Sequence, residues 1–323
     1  MEGDVELSFK INGTGSSCPK KVVTNDDLTL FLDTSDEWIT TRTGVKERRV
    51  CTDEKINDLA LESAKQALEN AKIDAKDLDL IITATMGGDY VTPSTACCIQ
   101  KEIGAICPAF DINAACSGFI YALDIANNYF FRDDIKNILV VVAENMTKYL
   151  DWTDRGTCVL FGDATAAVVL GRGNGLKAIK LAAKGNSDVL NVNNNDSKTP
   201  WQNNEDKKRF LQMNGQEVFK FAVTAMVKDV RNLLKEANIA EENVNVMLPH
   251  QANTRIIDNA KQKLNIPHES YYSNIERFGN TSAACIPVML DELNKANKLK
   301  KGDIIVMSAF GGGLTSGACI IEW

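Results

Sequence analysis

Hydrophobic and polar positions alternate between two periods along the chain. In "LALESAKQALENA" (59–71) apolar residues recur at helical spacing, so an amphipathic helix is predicted. "DLDLIITAT" (77–85) follows as a buried strand, and "CPAFDI" (107–112) as a short strand after a proline. From Gly118 the helical period returns through Phe119, Ala122, Leu123 and Ala126. "KNILVVVAEN" (136–145) is apolar on both faces, as a parallel sheet covered by helices requires. "CVLFGDATAAVVLGRG" (158–173) reads as two strands around Gly-Asp.

The second half repeats this order. "AMVKDVRNLLKEANIAEENVNVMLPHQ" (225–251) matches residues 60–85: helix, acidic turn, apolar strand. "KGDIIVMSAFGGGLTSGACIIEW" (301–323) matches the strands of 136–173. An offset this long is no solenoid unit. It predicts a duplicated α/β chain with pseudo-two-fold symmetry, divided into residues 1–172 and 173–323 with the join near "GRGNGLK" (171–177). Such pairing can bring a residue of one half onto a residue of the other. Between the repeats, 185–209 is rich in Asn, Asp and Lys and lacks periodicity; a mobile surface excursion is expected.

Composition narrows the class. A net charge of −7 argues against nucleic acid as a partner. No apolar run is long enough to span a membrane, and the acidic "MEGDVELSFK" start lacks the apolar core of a signal peptide. Nine cysteines, an odd number without C-x-x-C spacing, fit reduced thiols in the cytoplasm better than disulfides or a zinc site. Eight of them (Cys18, Cys51, Cys97, Cys98, Cys107, Cys158, Cys285 and Cys319) are read as structural.

Cys116 is the exception. It falls where a strand gives way to a helix N-terminus, among the small residues Ala114, Ala115, Ser117 and Gly118. Free N–H groups and the positive end of the helix dipole favour a thiolate there. The competing reading is a cysteine packed as a small hydrophobe. Of two histidines, His268 lies in a polar turn and reads as a surface residue. His250, in "VMLPHQAN", ends an apolar strand, where α/β sites form. Asn280, in "ERFGNTSAAC", precedes a helix at the second-half counterpart of the Cys116 turn; alone it reads as an N-cap. The duplication sets these loops at one end of paired sheets, beside "AFGGGLTSG" (309–317), whose glycines allow close backbone approach.

"DINAACSGF", "PHQAN", "GNTSAA" and "AFGGG", with "TSDEWITTRTG" (34–44) and "DRGT" (154–157), resemble the β-ketoacyl-acyl-carrier-protein synthase III family, from "INGTGS" (11–16) to the C-terminus. The resemblance implies a thiolase-like fold, layered α-β-α-β-α, and the initiating decarboxylative condensation of an acyl-CoA with malonyl-acyl-carrier protein in fatty-acid synthesis. It implies an acyl-Cys116 intermediate, an oxyanion hole of the Cys116 and Gly312 N–H groups, and His250 and Asn280 as donors to the enolate. Trp38 and Arg155 would sandwich the adenine of CoA, with Arg42 and Thr43 in the same motif. Gly215, Phe219 and Asn253 match pantetheine-tunnel positions. Arg255, Lys220, Lys261 and Lys263 form the expected carrier-protein patch, with Gln262 where a second lysine can occur. Gln216 stands where Asn is usual. Thr92 stands where some members carry a Phe that limits the primer pocket from the partner subunit, which leaves primer size open. A homodimer is expected and no cofactor or metal, since acyl-CoA and malonyl-carrier protein are substrates.

Related enzymes are distinguished by the same residues. Elongating synthases use two histidines, but the second position here is Asn280. Thiolases place a second cysteine in the Gly-rich loop, and "AFGGGLTSG" has none. A secondary-metabolism acyltransferase on this scaffold is the alternative; it would release no CO2. A non-catalytic scaffold is disfavoured because all three catalytic positions are filled.

Overall fold

The computed structural model describes residues 8–194, 201 and 209–323. The first seven residues, with most of the acidic N-terminal stretch, and 195–200 and 202–208 of the polar segment lie outside the described residues.

Two sheets carry the fold. In the first, the strands run in the order Ser8–Ser17, Ala164–Gly173, Asn137–Glu144, Leu80–Ala84, Ala109–Ile112. The last three are parallel and meet register pairs such as Ile82 with Val140 and with Phe110. In the second, the order is Val246–Pro249, Ile304–Gly311, Thr315–Glu322, Leu176–Ala183. Val246–Pro249 is parallel to Ile304–Gly311, and a hairpin then runs back along the sheet.

Helices Gly118–Tyr129 and Cys285–Lys295 lie between the two sheets, in one apolar core with Ile82, Val140, Leu248 and Met307. They are short on polar residues because both faces are covered: Phe119, Ile120, Leu123, Ile286, Met289 and Leu290 are all buried. Ile56–Ala71 and Thr95–Ile103 cover the outer face of the first sheet. Gly215–Glu236 and Thr254–Lys263 cover that of the second. The five layers are α-β-α-β-α, a thiolase-like arrangement built from two like halves.

The likeness extends to backbone detail. Ala115 and Ser282 both adopt left-handed φ, 46° and 52°, a costly conformation for residues other than glycine. Each sits in a tight turn just before a central helix.

Two sequence expectations change. Of residues 158–173, only Ala164–Gly173 is a strand. Thr157–Leu160 instead folds into turns, with Cys158 N–H donating to Asp154 O at 3.0 Å and Leu160 N–H to Thr157 O at 3.1 Å. The polar excursion is also more than surface loop. Leu190–Val192 pairs antiparallel with Leu211–Met213, and this ribbon lies over the end of the sheets where the site forms. The apolar positions of that ribbon are too few to register as periodicity.

Candidate active site

The turn that carries Cys116 is set by the parallel strand Ala109–Ile112. Leaving it, the chain makes a turn in which Asn113 Oδ1 accepts the Ala115 N–H at 3.1 Å, then a 3₁₀ turn (Ala115–Ser117), then the helix from Gly118. Cys116 is thus presented just ahead of a central helix and is 7% exposed. Gly311 packs against it so closely that a Cβ there would lie 2.7 Å from Cys116 N. Only glycine fits at that point.

His250 follows the strand Val246–Pro249. Its N–H donates to Ser308 O at 2.8 Å, extending the sheet register by one residue. The ring stands edge-on to Phe310, with centroids 5.0 Å apart, and is buried. Burial pulls its pKa down to about 3, so the imidazole is neutral at physiological pH. Nδ1 lies 3.0 Å from Cys285 Sγ.

Asn280 caps a turn rather than a helix. Its Oδ1 accepts the Ser282 N–H at 2.9 Å. Its own backbone is clamped by Leu160 O (2.8 Å) and by the Gly162 N–H (3.1 Å). With Oδ1 engaged, the amide Nδ2 is the group left to serve a ligand.

Cys116, His250 and Asn280 line one cavity of about 880 Å³. Gly311, Gly312 and Gly313 form part of its wall. Of the residues the resemblance assigns, Arg42, Thr43, Gly215, Phe219, Asn253 and Arg255 also line it. Asn253 joins two of these elements: its Oδ1 caps the helix Thr254–Lys263 and its Nδ2 donates to Arg42 O at 3.0 Å.

In the resting site burial opposes the thiolate that the helix terminus favours. Burial pushes the Cys116 thiol up to about 12, with the Glu144 charge adding to the rise and the Ser282 hydroxyl opposing it. Ser282 Oγ stands 3.4 Å from Cys116 Sγ and 3.4 Å from Glu144 Oε1. Glu144, at the end of a central strand, is itself buried and pushed up to about 8. The helix terminus that favours a thiolate is present, but so is deep burial, which sequence could not weigh.

The outer residues are arranged differently from expectation. Trp38 carries both Arg42 and Arg155 on its ring, at 4.8 and 5.2 Å from the centroid. Arg155 is also tethered to Asp33, through its backbone O and its carboxylate. Guanidinium and indole are in contact, so an adenine between them requires Arg155 to swing away. The basic residues sit on two neighbouring helices, Gly215–Glu236 and Thr254–Lys263. Lys220 is paired with Glu217 at 2.8 Å. Lys261, whose ammonium lies over Tyr271 at 5.4 Å, and Lys263 sit at the far end of the helix that begins beside Arg255. His268 is exposed, as read.

Sequence reasoning missed several walls of the cavity. Leu190 and Asn191 come from the polar excursion, Leu211 and Met213 from its partner strand, and Met86, Met146 and Phe161 from the first half. It also missed Cys285, read as structural, which touches His250. Among the described residues all nine cysteines are free, none groups with others as a metal site, and no helix is long and apolar enough to cross a membrane.

Comparison with known proteins agrees with the geometry. Residues 110–187 match the family model described as 3-oxoacyl-[acyl-carrier-protein (ACP)] synthase III, and residues 234–323 match the model of its C-terminal part. The chain is 46% identical to β-ketoacyl-[acyl-carrier-protein] synthase III of Clostridium botulinum (strain Loch Maree / Type A3), over 98% of this chain and 99% of that one. It is also 46% identical to the Aquifex aeolicus VF5 enzyme of that name, whose crystal structure superposes with a TM-score of 0.91 over 98% of this chain and 100% of that one. The priming β-ketosynthase of the R1128 polyketide pathway superposes with a TM-score of 0.90 but is only 32% identical, over 98% of this chain and 96% of that one. The two relatives at 46% identity both bear the synthase III name, while the polyketide-pathway enzyme stands lower. The chain is a condensing acyltransferase and belongs to the β-ketoacyl-[acyl-carrier-protein] synthase III family.

Proposed function

We propose that Cys116, His250 and Asn280 divide the initiating condensation between them. Cys116 attacks the thioester carbonyl of an acyl-CoA; CoA leaves as its thiol, carrying the equivalent of the Cys116 proton, and the acyl group remains as a new thioester. The neutral resting thiol loses its proton as attack proceeds, with the helix N-terminus and the Ser282 hydroxyl favouring the emerging thiolate. Malonyl-acyl-carrier protein then enters. Loss of CO2 leaves an enolate whose oxygen accepts hydrogen bonds from His250 and Asn280 Nδ2. Its carbon attacks acyl-Cys116, the tetrahedral oxyanion sits on the Cys116 and Gly312 N–H groups, and collapse expels the Cys116 thiolate. Decarboxylation itself generates the carbanion, so this reading calls on no metal or cofactor.

The observation that carries this reading is the pairing of a buried neutral imidazole with an oriented amide on the wall that holds Cys116. Two neutral donors suit an enolate; a charged imidazolium would not survive the burial.

Trp38, Arg42 and Arg155 form the aromatic and cationic surface for the CoA nucleotide, and Gly215, Phe219 and Asn253 border the pantetheine path. Arg255, exposed at the cavity, is the favoured contact for an acidic carrier protein, with Lys220, Lys261 and Lys263 secondary. A homodimer is supported by Ala109–Ile112, an edge strand of the first sheet, and by the exposed Ile106 just ahead of it. Nine free thiols suit a cytoplasmic setting. The divide at residues 172 and 173 is proposed as the junction of the duplicated units, since it falls at the very end of the strand Ala164–Gly173, just before Leu176–Ala183 enters the other sheet.

The test is intact mass after incubation with a panel of acyl-CoAs, followed by CO2 release from malonyl-carrier protein. Acylation at Cys116 and CO2 release are both expected, and the preferred primer is read from the mass gain. Acylation followed by transfer to oxygen or nitrogen without CO2 would establish the acyltransferase alternative. Failure to acylate would overturn the reading.

A further inference from the structure

We propose that Cys285 is a positioning residue for His250: its thiol donates to Nδ1 and so fixes the tautomer that carries the proton on Nε2. This rests on the reading of His250 as a donor to the enolate.

The contact is unusually well bounded. Cys285 Sγ and His250 Nδ1 are 3.0 Å apart, close for a sulfur hydrogen bond, and both residues are buried. The ring has little freedom to turn, because Phe310 meets it edge-on at 5.0 Å and its backbone is held to Ser308. Cys285 is equally fixed as the first residue of the central helix Cys285–Lys295.

Two proton arrangements fit that distance. In one, S–H donates to Nδ1 and Nε2 carries hydrogen. In the other, Nδ1–H donates to sulfur and Nε2 is bare, a base instead of a donor. The surroundings select the first. The sulfur already receives the Gln251 N–H at 3.5 Å. A second N–H on it would leave the thiol hydrogen without an acceptor, and would use sulfur, a weak acceptor, where an imidazole nitrogen is available. Burial keeps both groups uncharged, with the imidazole down to about 3 and the thiol up to about 12, so no thiolate–imidazolium pair competes. With Nδ1 occupied, Nε2 is the nitrogen His250 offers to the cavity it lines. The second cysteine of the site thereby has a role without touching substrate.

The test is nitrogen NMR of the full-length protein labelled with ¹⁵N-histidine. There are two histidines, and the exposed His268 is assigned by His268→Gln. The wild type is expected to show His250 with Nε2 protonated and Nδ1 bare but hydrogen-bonded. Cys285→Ser keeps a donor and should keep this tautomer. Cys285→Ala should shift it toward a mixture and slow CO2 release from malonyl-carrier protein on the order of tenfold to a hundredfold, the range found when a partner that orients a metal-bound histidine is lost. Acylation of Cys116 should persist in both variants, and Cys285→Ser should recover most of the decarboxylation. Protonated Nδ1 in the wild type would overturn the proposal, and so would an unchanged tautomer in Cys285→Ala. The wild-type spectrum decides even if Cys285→Ala fails to fold. Should the Nε2–H tautomer be found while His250→Ala still decarboxylates, Cys285 holds its role and the reading of His250 fails instead.

Discussion

Asn113 and Asn280 make the same hydrogen bond in the two halves of the chain: each side-chain Oδ1 accepts the backbone N–H two residues on, at 3.1 and 2.9 Å. Each bond supports the left-handed residue that follows, Ala115 or Ser282. The same turn therefore serves two ends. In the first half it presents Cys116, the proposed nucleophile, to the cavity. In the second, where Ala283 stands in place of the cysteine, the asparagine itself turns its amide nitrogen to the cavity.

This separates structure from chemistry at Asn280. Asn280→Asp keeps the acceptor for Ser282 N–H and removes the donor. Acylation from acyl-CoA should survive, while CO2 release from malonyl-carrier protein falls by about 10²–10³. His250→Ala should behave likewise, and the double variant should cost less than the product of the singles if the donors act as a unit. Intact mass and CO2 measurement read the two half-reactions. Loss of acylation with decarboxylation intact would point to a Cys–His base pair instead.

Cys116 should alkylate in a strongly pH-dependent way. With the thiol pushed up to about 12, the rate with iodoacetamide should climb through pH 9 without levelling, and saturating acyl-CoA should protect it. Ser282→Ala removes a contact that lowers the pKa and should slow the reaction further. A plateau near neutral pH would mean that the helix terminus outweighs burial.

Glu144 should leave a mark on stability. Its folded pKa, raised to about 8 by burial, exceeds the ordinary carboxylate value. The folded state therefore holds a proton that the unfolded chain releases. The stability this group contributes is full below the ordinary value and is lost as pH rises through about 8, by at most about 1.4 kcal/mol per pH unit. His250 has the opposite sign: its contribution is full above the ordinary histidine value and is lost as pH falls toward about 3. The two slopes oppose each other in mildly acidic solution. Denaturant titrations of Glu144→Gln should lack the alkaline loss between neutrality and pH 8; an identical curve would show that Glu144 stays ionised.

Charge reversal at Arg255 should weaken use of malonyl-carrier protein far more than acylation from acyl-CoA. The effect should shrink at high salt, where charges are screened within ~8–10 Å. Lys261→Ala, at the far end of the same helix and already over Tyr271, should do much less. Equal effects of the two variants would show that both residues belong to one docking patch.

The alternation of strands and helices, the duplication and the positions of Cys116, His250 and Asn280 were legible in the sequence. Hydrophobic period is local, and in a parallel α/β chain the functional side chains gather where strands end. What lay beyond reach depends on contacts between segments distant in sequence. The Cys116 thiol is pushed up because burial, with Gly311 packed against it, and the nearby Glu144 outweigh the Ser282 hydroxyl. Cys285 reaches His250 because the two come from different elements of the second half, and Leu190 and Leu211 become cavity walls only once their short strands pair. Sequence determined which groups could react and at which end of the sheets they stand. Tertiary structure alone set their protonation and their neighbours, since desolvation depends on everything that packs around a group and not on the residues beside it in the chain.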